Sequence, residues 1–148
     1  MAQIPFTDRE LYRAWKELYA ASQDTGNKKN PHRLLLIYSV ECGLKAIWLK
    51  RKGKTLFDAS DISKTGHDLN KIIKELYISS VQLTPIFDLS EVTDRLQNKK
   101  IQRKNNRIDA LHQAWRYGGK LSALPVDDKT MEEQLENIQQ FISKELRS

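Results

Sequence analysis

The chain has 148 residues, of which 39% are hydrophobic and 30% charged. That suits one globular domain over residues 1–148 with a core of its own, and excludes a disordered or fibrous chain. The longest apolar run, Leu34 to Tyr38, is far short of the ~20 residues a membrane span needs. With no basic leader followed by an apolar run, neither export nor membrane insertion is expected. The one cysteine, Cys42, cannot form an internal disulfide, and a reducing cytoplasmic setting fits it.

The net charge of +6 is unevenly spread. Residues 28–54 carry +7, residues 99–120 carry +6, and the remainder carries −7. Two basic blocks on an otherwise acidic chain suggest an anionic partner, the plainer alternative being solvated lysine-rich helix ends.

The apolar pattern reads as helical nearly throughout. Thr7 and Glu10 have capping-box spacing, with Phe6 and Leu11 at the staple positions. Leu11, Trp15, Leu18 and Ser22 then share one face, and Gly26-Asn27 ends the helix. Asn30 reads as the next N-cap with Pro31 at the first helical position. Residues 31–52 are apolar almost all round, which predicts a helix surrounded by others and stopping near Gly53.

Residues 53–66 read as a loop with one turn near Ser60. A short helix is expected over 67–78, Leu69, Ile72, Ile73 and Leu76 facing inward. Thr84-Pro85 marks a break. Ser90 is expected to cap a helical stretch, bent at Asn105-Asn106 and ended by Gly118-Gly119. Thr130 and Glu133 read as the capping box of the last helix, whose inner face is Met131, Leu135, Ile138 and Ile142. No run alternates clearly enough to predict a strand. The expected fold is therefore all-α, an up-and-down bundle of about five helices.

Few residues offer chemistry. Gly-rich phosphate loops, His-Glu-x-x-His and Gly-x-Ser-x-Gly are absent from the sequence. With three histidines, His32, His67 and His112, metal-dependent hydrolysis has little to build on, and neither metal nor cofactor is expected. His112 lies inside the second basic block, with Lys99, Lys100, Arg103, Lys104 and Arg107 before it and Arg116 one turn beyond. An imidazole moves protons near neutral pH, and a guanidinium holds a phosphate and steadies charge developing on it. Those two groups suffice in principle for metal-free RNA cleavage, because the substrate's own 2′-OH is the nucleophile.

Each candidate has a plainer reading. Five residues on a straight helix are about 140° apart, so Arg107 and His112 share a face only if the helix bends or begins there. Otherwise Arg107 is a surface charge and His112 a packed helix residue. His67 and Asp68 read best as a helix-start device. Glu41 and Lys45, four apart on the buried helix, read best as a structural ion pair. Trp115 and Tyr117 could stack on bases or pack in the core.

Three motifs together resemble a known family. Ser39-Val-Glu41-Cys-Gly-Leu-Lys45-Ala-Ile resembles the central A-V-E-x-x-L-K-A-L helix of HEPN domains. Gly66-His-Asp-Leu69 resembles the H-D-L helix start of one HEPN branch, and Ala114-Trp-Arg-Tyr117 resembles that branch's A-R-Y ending. The resemblance spans about residues 8–145. It implies a four- to five-helix bundle, often a homodimer.

Catalytic HEPN members are metal-independent endoribonucleases of toxin–antitoxin, phage-defence and RNA-processing systems. By that resemblance Arg107 and His112 form the catalytic pair of an Arg-x4–6-His motif, paired again across a dimer cleft. Lys100, Arg103, Lys104 and Arg116 would then bind RNA phosphates, with Glu41, Lys45, His67, Asp68 and Tyr117 in support. Ile108 stands where catalytic members carry Asn, Asp or His, and Ala114 where many carry Tyr. Members of the H-D-L branch are often non-catalytic. The alternative is thus a binding module for a partner such as a nucleotidyltransferase or antitoxin, a nucleotide or RNA.

Overall fold

The computed structural model describes residues 4–66 and 68–147. Among them the chain forms β1 (Phe6–Thr7), α1 (Asp8–Ser22), α2 (Asn30–Lys52), β2 (Leu56–Phe57), α3 (Ala59–Thr65) and α4 (Leu69–Glu75). The order continues with β3 (Ile86–Asp94), β4 (Lys99–Arg107), a 3-10 turn (Ile108–Ala110), α5 (Leu111–Arg116) and α6 (Asp128–Leu146). The fold is mixed α/β, not the expected all-α bundle: six helices are joined by two small antiparallel two-stranded sheets.

The expected helix over 90–117 is where the two differ most. Residues 86–107 form a hairpin, and helix begins only at Leu111. The turn is chemically well made. The Asp94 carboxylate accepts from the amides of Leu96 and Gln97, and Asn98 adopts a left-handed φ of 53°, a conformation Asn tolerates. Two irregularities, between Phe87 and Leu89 and between Leu89 and Val92, break the register. They also break the alternation that betrays a strand.

Elsewhere the helical reading holds with shifted ends. Thr7 and Glu10 make the capping box reciprocally, each accepting the other's amide at 3.0–3.1 Å. Asn30 is not the N-cap but the first residue of α2, and Lys29 precedes it as the cap. The Asn30 side chain instead donates to the Gly119 carbonyl (3.0 Å) and accepts from Arg33 (2.8 Å). Helix α2 does stop at Gly53, whose left-handed φ of 64° suits a residue without a Cβ. The loop expected over 53–66 holds β2, paired to β1, and then α3. Asp127 caps α6 by accepting from the Thr130 amide at 2.8 Å, so that helix starts before Thr130.

The core is arranged around α2, which packs against α1, α4, α5 and α6. Leu36, Val40, Leu44, Ile47 and Leu49 are fully enclosed. Trp15, Trp48 and Trp115 are all buried, so Trp115 belongs to the core and is not a base-stacking platform. Gly43 of α2 faces both Trp15 of α1 and Ile142 of α6. A Cβ there would stand 2.7 Å from Ile142 Cγ2 and 2.8 Å from Trp15 Cδ1, closer than carbon atoms can pack.

One buried acid ties α3 to this core. The Asp61 carboxylate accepts from the Trp48 indole (3.0 Å), the Lys54 ammonium (2.6 Å) and the Asp58 amide (3.0 Å). Burial alone would raise its pKa. The bonds from Lys54, Asp58 and Trp48 outweigh that and hold it down at about 2.

Two predictions follow from these contacts. Replacing Gly43 by Ala gains about 1 kcal/mol of helix propensity but costs on the order of 1–3 kcal/mol through overpacking. Urea denaturation is expected to show net destabilisation, smaller in an Ile142→Ala background, which removes both Ile142 carbons the new Cβ would meet. Asp61 binds its proton more readily in the unfolded chain, near the ordinary value of about 3.9, than in the folded one. Its contribution is therefore complete above that value and is lost as pH falls from about 4 towards 2. The Asp61→Asn chain should be less stable at pH 7 and show a flatter melting-temperature profile over that acid range.

Candidate functional site

A cleft of about 240 Å³ opens where α2 meets α5. Its apolar floor comes from Ile37, Leu69, Leu83, Ile108 and Leu111, and its polar rim from Tyr38, Glu41, Asp109, His112 and Arg116. The spacing on each helix explains the convergence. Tyr38 and Glu41 are three apart on α2, and His112 and Arg116 four apart on α5, so each pair lies on one helix face.

The floor is fixed by bonds from other parts of the chain. The Asn70 side chain donates to the Leu83 carbonyl (2.8 Å) and accepts from the Leu83 amide (2.9 Å), pinning that segment beside α4. The Ile108 amide donates to the Pro85 carbonyl (3.0 Å), which sets the start of the 3-10 turn. The Trp115 indole donates to Asp128 at 2.8 Å and anchors α5 against α6. His112 and Arg116 thus project from a short helix held on both sides.

On the rim, the Arg116 guanidinium donates to the Tyr38 hydroxyl. That bond links α5 to α2 and aims the cation across the cleft. Glu41 pairs with Lys45 at 3.3 Å, and the Lys45 ammonium also stands 5.2 Å from the centre of the Phe57 ring. The ion pair foreseen on the buried helix is present, and its carboxylate lines the cleft. Acid, imidazole, guanidinium and phenol surround one small volume with an apolar base. Such a set can hold an anion and move a proton beside it.

The other candidates are placed differently. Arg107 ends β4, is largely exposed, and lies 3.9 Å from Asp109. Arg107 and His112 therefore stand on different elements, and of the two only His112 lines the cleft. Arg103 donates from two nitrogens to the Ser90 carbonyl (2.9 and 2.7 Å), a hairpin-bracing role. Lys100 and Lys104 are exposed on β4. Asp68 caps α4 by accepting from the Asn70 and Lys71 amides. Tyr117 is exposed beside Arg116. His67 lies outside the described residues.

Sequence reasoning passed over Tyr38 and Asp109 as parts of the site. Tyr38 had been counted with the apolar face of α2. Its place three residues before Glu41 was the available signal. For Asp109 the 3-10 turn that aims it inward has no comparable signature. No group of His, Cys, Asp or Glu side chains able to hold a metal ion occurs among the described residues. No helix there is long and apolar enough to cross a membrane.

A scan against protein-family models finds no match, and neither do searches of curated proteins and of solved structures.

Cys42 adjoins Glu41 but sits half-buried on the α1 side of α2, away from the cleft. Burial, reinforced by the Glu41 charge, pushes its thiol up to about 11, so little thiolate forms near neutral pH. Its reaction with a thiol-exchange reagent at pH 8 is expected to be at least tenfold slower than that of unfolded protein, read by absorbance.

Proposed function

We propose that the chain is a HEPN-like, metal-independent endoribonuclease acting at the α2–α5 cleft. The observation that carries this reading is convergence. Glu41 from the A-V-E-like motif, Leu69 from the H-D-L-like motif and Arg116 from the A-R-Y-like motif line one cleft, with His112 beside them. Three segments far apart in the chain are brought to one place, which is what a shared site requires.

In this reading Arg116 holds the scissile phosphate and steadies the charge that builds on it. Tyr38 keeps the guanidinium in position. His112 handles the proton of the 2′-OH as that oxygen attacks phosphorus. The new O2′–P bond forms as P–O5′ breaks, and the departing oxygen takes up a proton from solvent water, His112 later releasing the one it took. The products are a 2′,3′-cyclic phosphate and a 5′-hydroxyl. Arg107, next to Asp109 at the cleft margin, is a phosphate-guiding group here. A homodimer would bring two such clefts together, as in the family the motifs resemble.

A second reading is a non-catalytic module that binds RNA or a nucleotide through the same groups. The placement of Arg107 outside the cleft favours it, because the expected catalytic pair is then not assembled within one chain.

Single-stranded RNA incubated with purified protein in EDTA separates the two. Cleavage is expected, with His112→Ala and Arg116→Ala each lowering its rate by roughly 10²-fold or more. Arg107→Ala should lower it less, mainly by weakening substrate binding. Full activity in the His112→Ala chain, or activity abolished by EDTA, would overturn the nuclease reading. RNA bound but never cut would leave the binding module.

A further inference from the structure

The β3–β4 hairpin is a structure of its own. Its base is tied to the body: Phe87 is buried, the Ser122 amide donates to the Asp88 carbonyl (2.8 Å), and the Ser90 amide donates to the Lys120 carbonyl (3.1 Å). Beyond Ser90 it leaves the body. Val92, Leu96 and Ile101 are exposed, Leu96 almost completely, and the two strands pack on each other. An isolated two-stranded ribbon adds little stability in water, so the fold does not need this extension for its core.

The two strands divide their charge. β3 carries Asp88, Glu91 and Asp94, whereas β4 carries Lys99, Lys100, Arg103, Lys104 and Arg107 with no acid. Each acid of β3 accepts a hydrogen bond within the hairpin: Asp88 from the Asn105 amide, Glu91 from Gln102, and Asp94 from the turn amides. None of the three forms a salt bridge with a lysine of β4 among the described residues, and Lys99, Lys100 and Lys104 stand exposed there without an ion-pair partner. β4 is regular from Lys99 to Arg103, so Lys99 and Arg103 lie on one face and Lys100 on the other, while Lys104 sits at the irregularity before Asn105. Cations thus stand on both faces of the ribbon and along its whole length, from Lys99 beside the turn to Arg107 at its base. The other end of β4 runs directly into the 3-10 turn, whose Ile108 and Asp109 line the cleft.

We propose that the hairpin is a cationic arm that holds the single-stranded RNA flanking the phosphate in the cleft. The nine residues of β4 span about 30 Å, so several nucleotides could lie along it before the strand enters the cleft. The inference rests on the nuclease reading for its choice of RNA, because a duplex is too wide to follow the strand into so narrow a cleft.

The test is fluorescence-anisotropy binding to a labelled single-stranded RNA as a function of salt. The protein carries His112→Ala so that the RNA stays intact. Against it is set the same chain with Lys99, Lys100 and Lys104 changed to Gln. A second variant replaces residues 91–104 by a tight Asn-Gly turn, and circular dichroism checks the fold of both. Loss of three phosphate contacts should lower the slope of log affinity against log salt by about 2. Affinity at low salt should fall roughly tenfold or more in both variants, while a dinucleotide that fills only the cleft binds unchanged. Unaltered long-RNA binding in both variants would overturn the arm, as would tighter binding to duplex DNA. Cleavage assays with the arm variants on a wild-type cleft separate the two claims. Cutting that persists without arm-dependent binding keeps the nuclease and removes the arm. Arm-dependent binding by a chain that never cuts RNA keeps the arm and removes the nuclease.

Discussion

Helix α2 is apolar around most of its circumference, and such a helix is stable only when other elements cover it. That demand organises the molecule. Helices α1 and α6 cover it on either side of Gly43, the point where a missing Cβ lets them approach. α4 and α5 cover it elsewhere, and the seam they leave is the cleft. Polar groups on α2 are admitted only where something meets them. Buried Ser39 donates to the Trp15 carbonyl (2.8 Å), Arg33 reaches Glu132 on α6, and Glu41 meets Lys45. Tyr38 is partly buried and meets Arg116. The cleft is therefore a consequence of how the core helix is wrapped, and the Tyr38–Arg116 bond on its rim also ties α5 to α2.

What was legible in the sequence follows from which forces act locally. The Thr7–Glu10 box is a contact across three residues, and it forms as read. The all-round apolar pattern of α2 is a strong global signal, and it too holds. Helix starts shifted where a side chain found a better distant partner, as Asn30 did with Gly119. The hairpin was not legible because alternation appears only when one face of a strand is buried. Here Phe87 is buried and Leu89 half-buried near the base, while the rest faces water and two register breaks scramble the period. Without a buried face, residues such as Lys99 and Lys104 read equally well as a solvated helix.

The candidate site was legible in part for the same reason. Glu41, His112 and Arg116 were picked out by residue type and motif, and they meet because both their helices pack at one seam. The pairing of Arg107 with His112 depended on continuous helix between them. The structure puts a strand end and a 3-10 turn there instead. Arg116, four residues after His112 on a single helix, is the arginine that geometry places beside it. Tyr38 was hidden by its dual nature, since a phenol ring counts as apolar in any periodicity while its hydroxyl still needs a partner.

The Arg116–Tyr38 bond bears on more than position. A guanidinium has five donors and no acceptor, so its bonds to the phenols of Tyr38 and Tyr117 still leave donors available to an oxyanion. A neutral partner fixes its direction without neutralising its charge, which a carboxylate in the same place would do. Glu41, three residues from Tyr38, is near enough to line the same cleft, yet its charge is answered by Lys45. Exchanging the two functions, with Glu41 on Arg116 and Tyr38 beside Lys45, would leave the core equally well covered. It would also neutralise Arg116, the one cation among the residues that line the cleft. The arrangement found keeps one exposed cation uncompensated beside an imidazole and over an apolar floor. Packing alone does not require it, and the proposed function would use it.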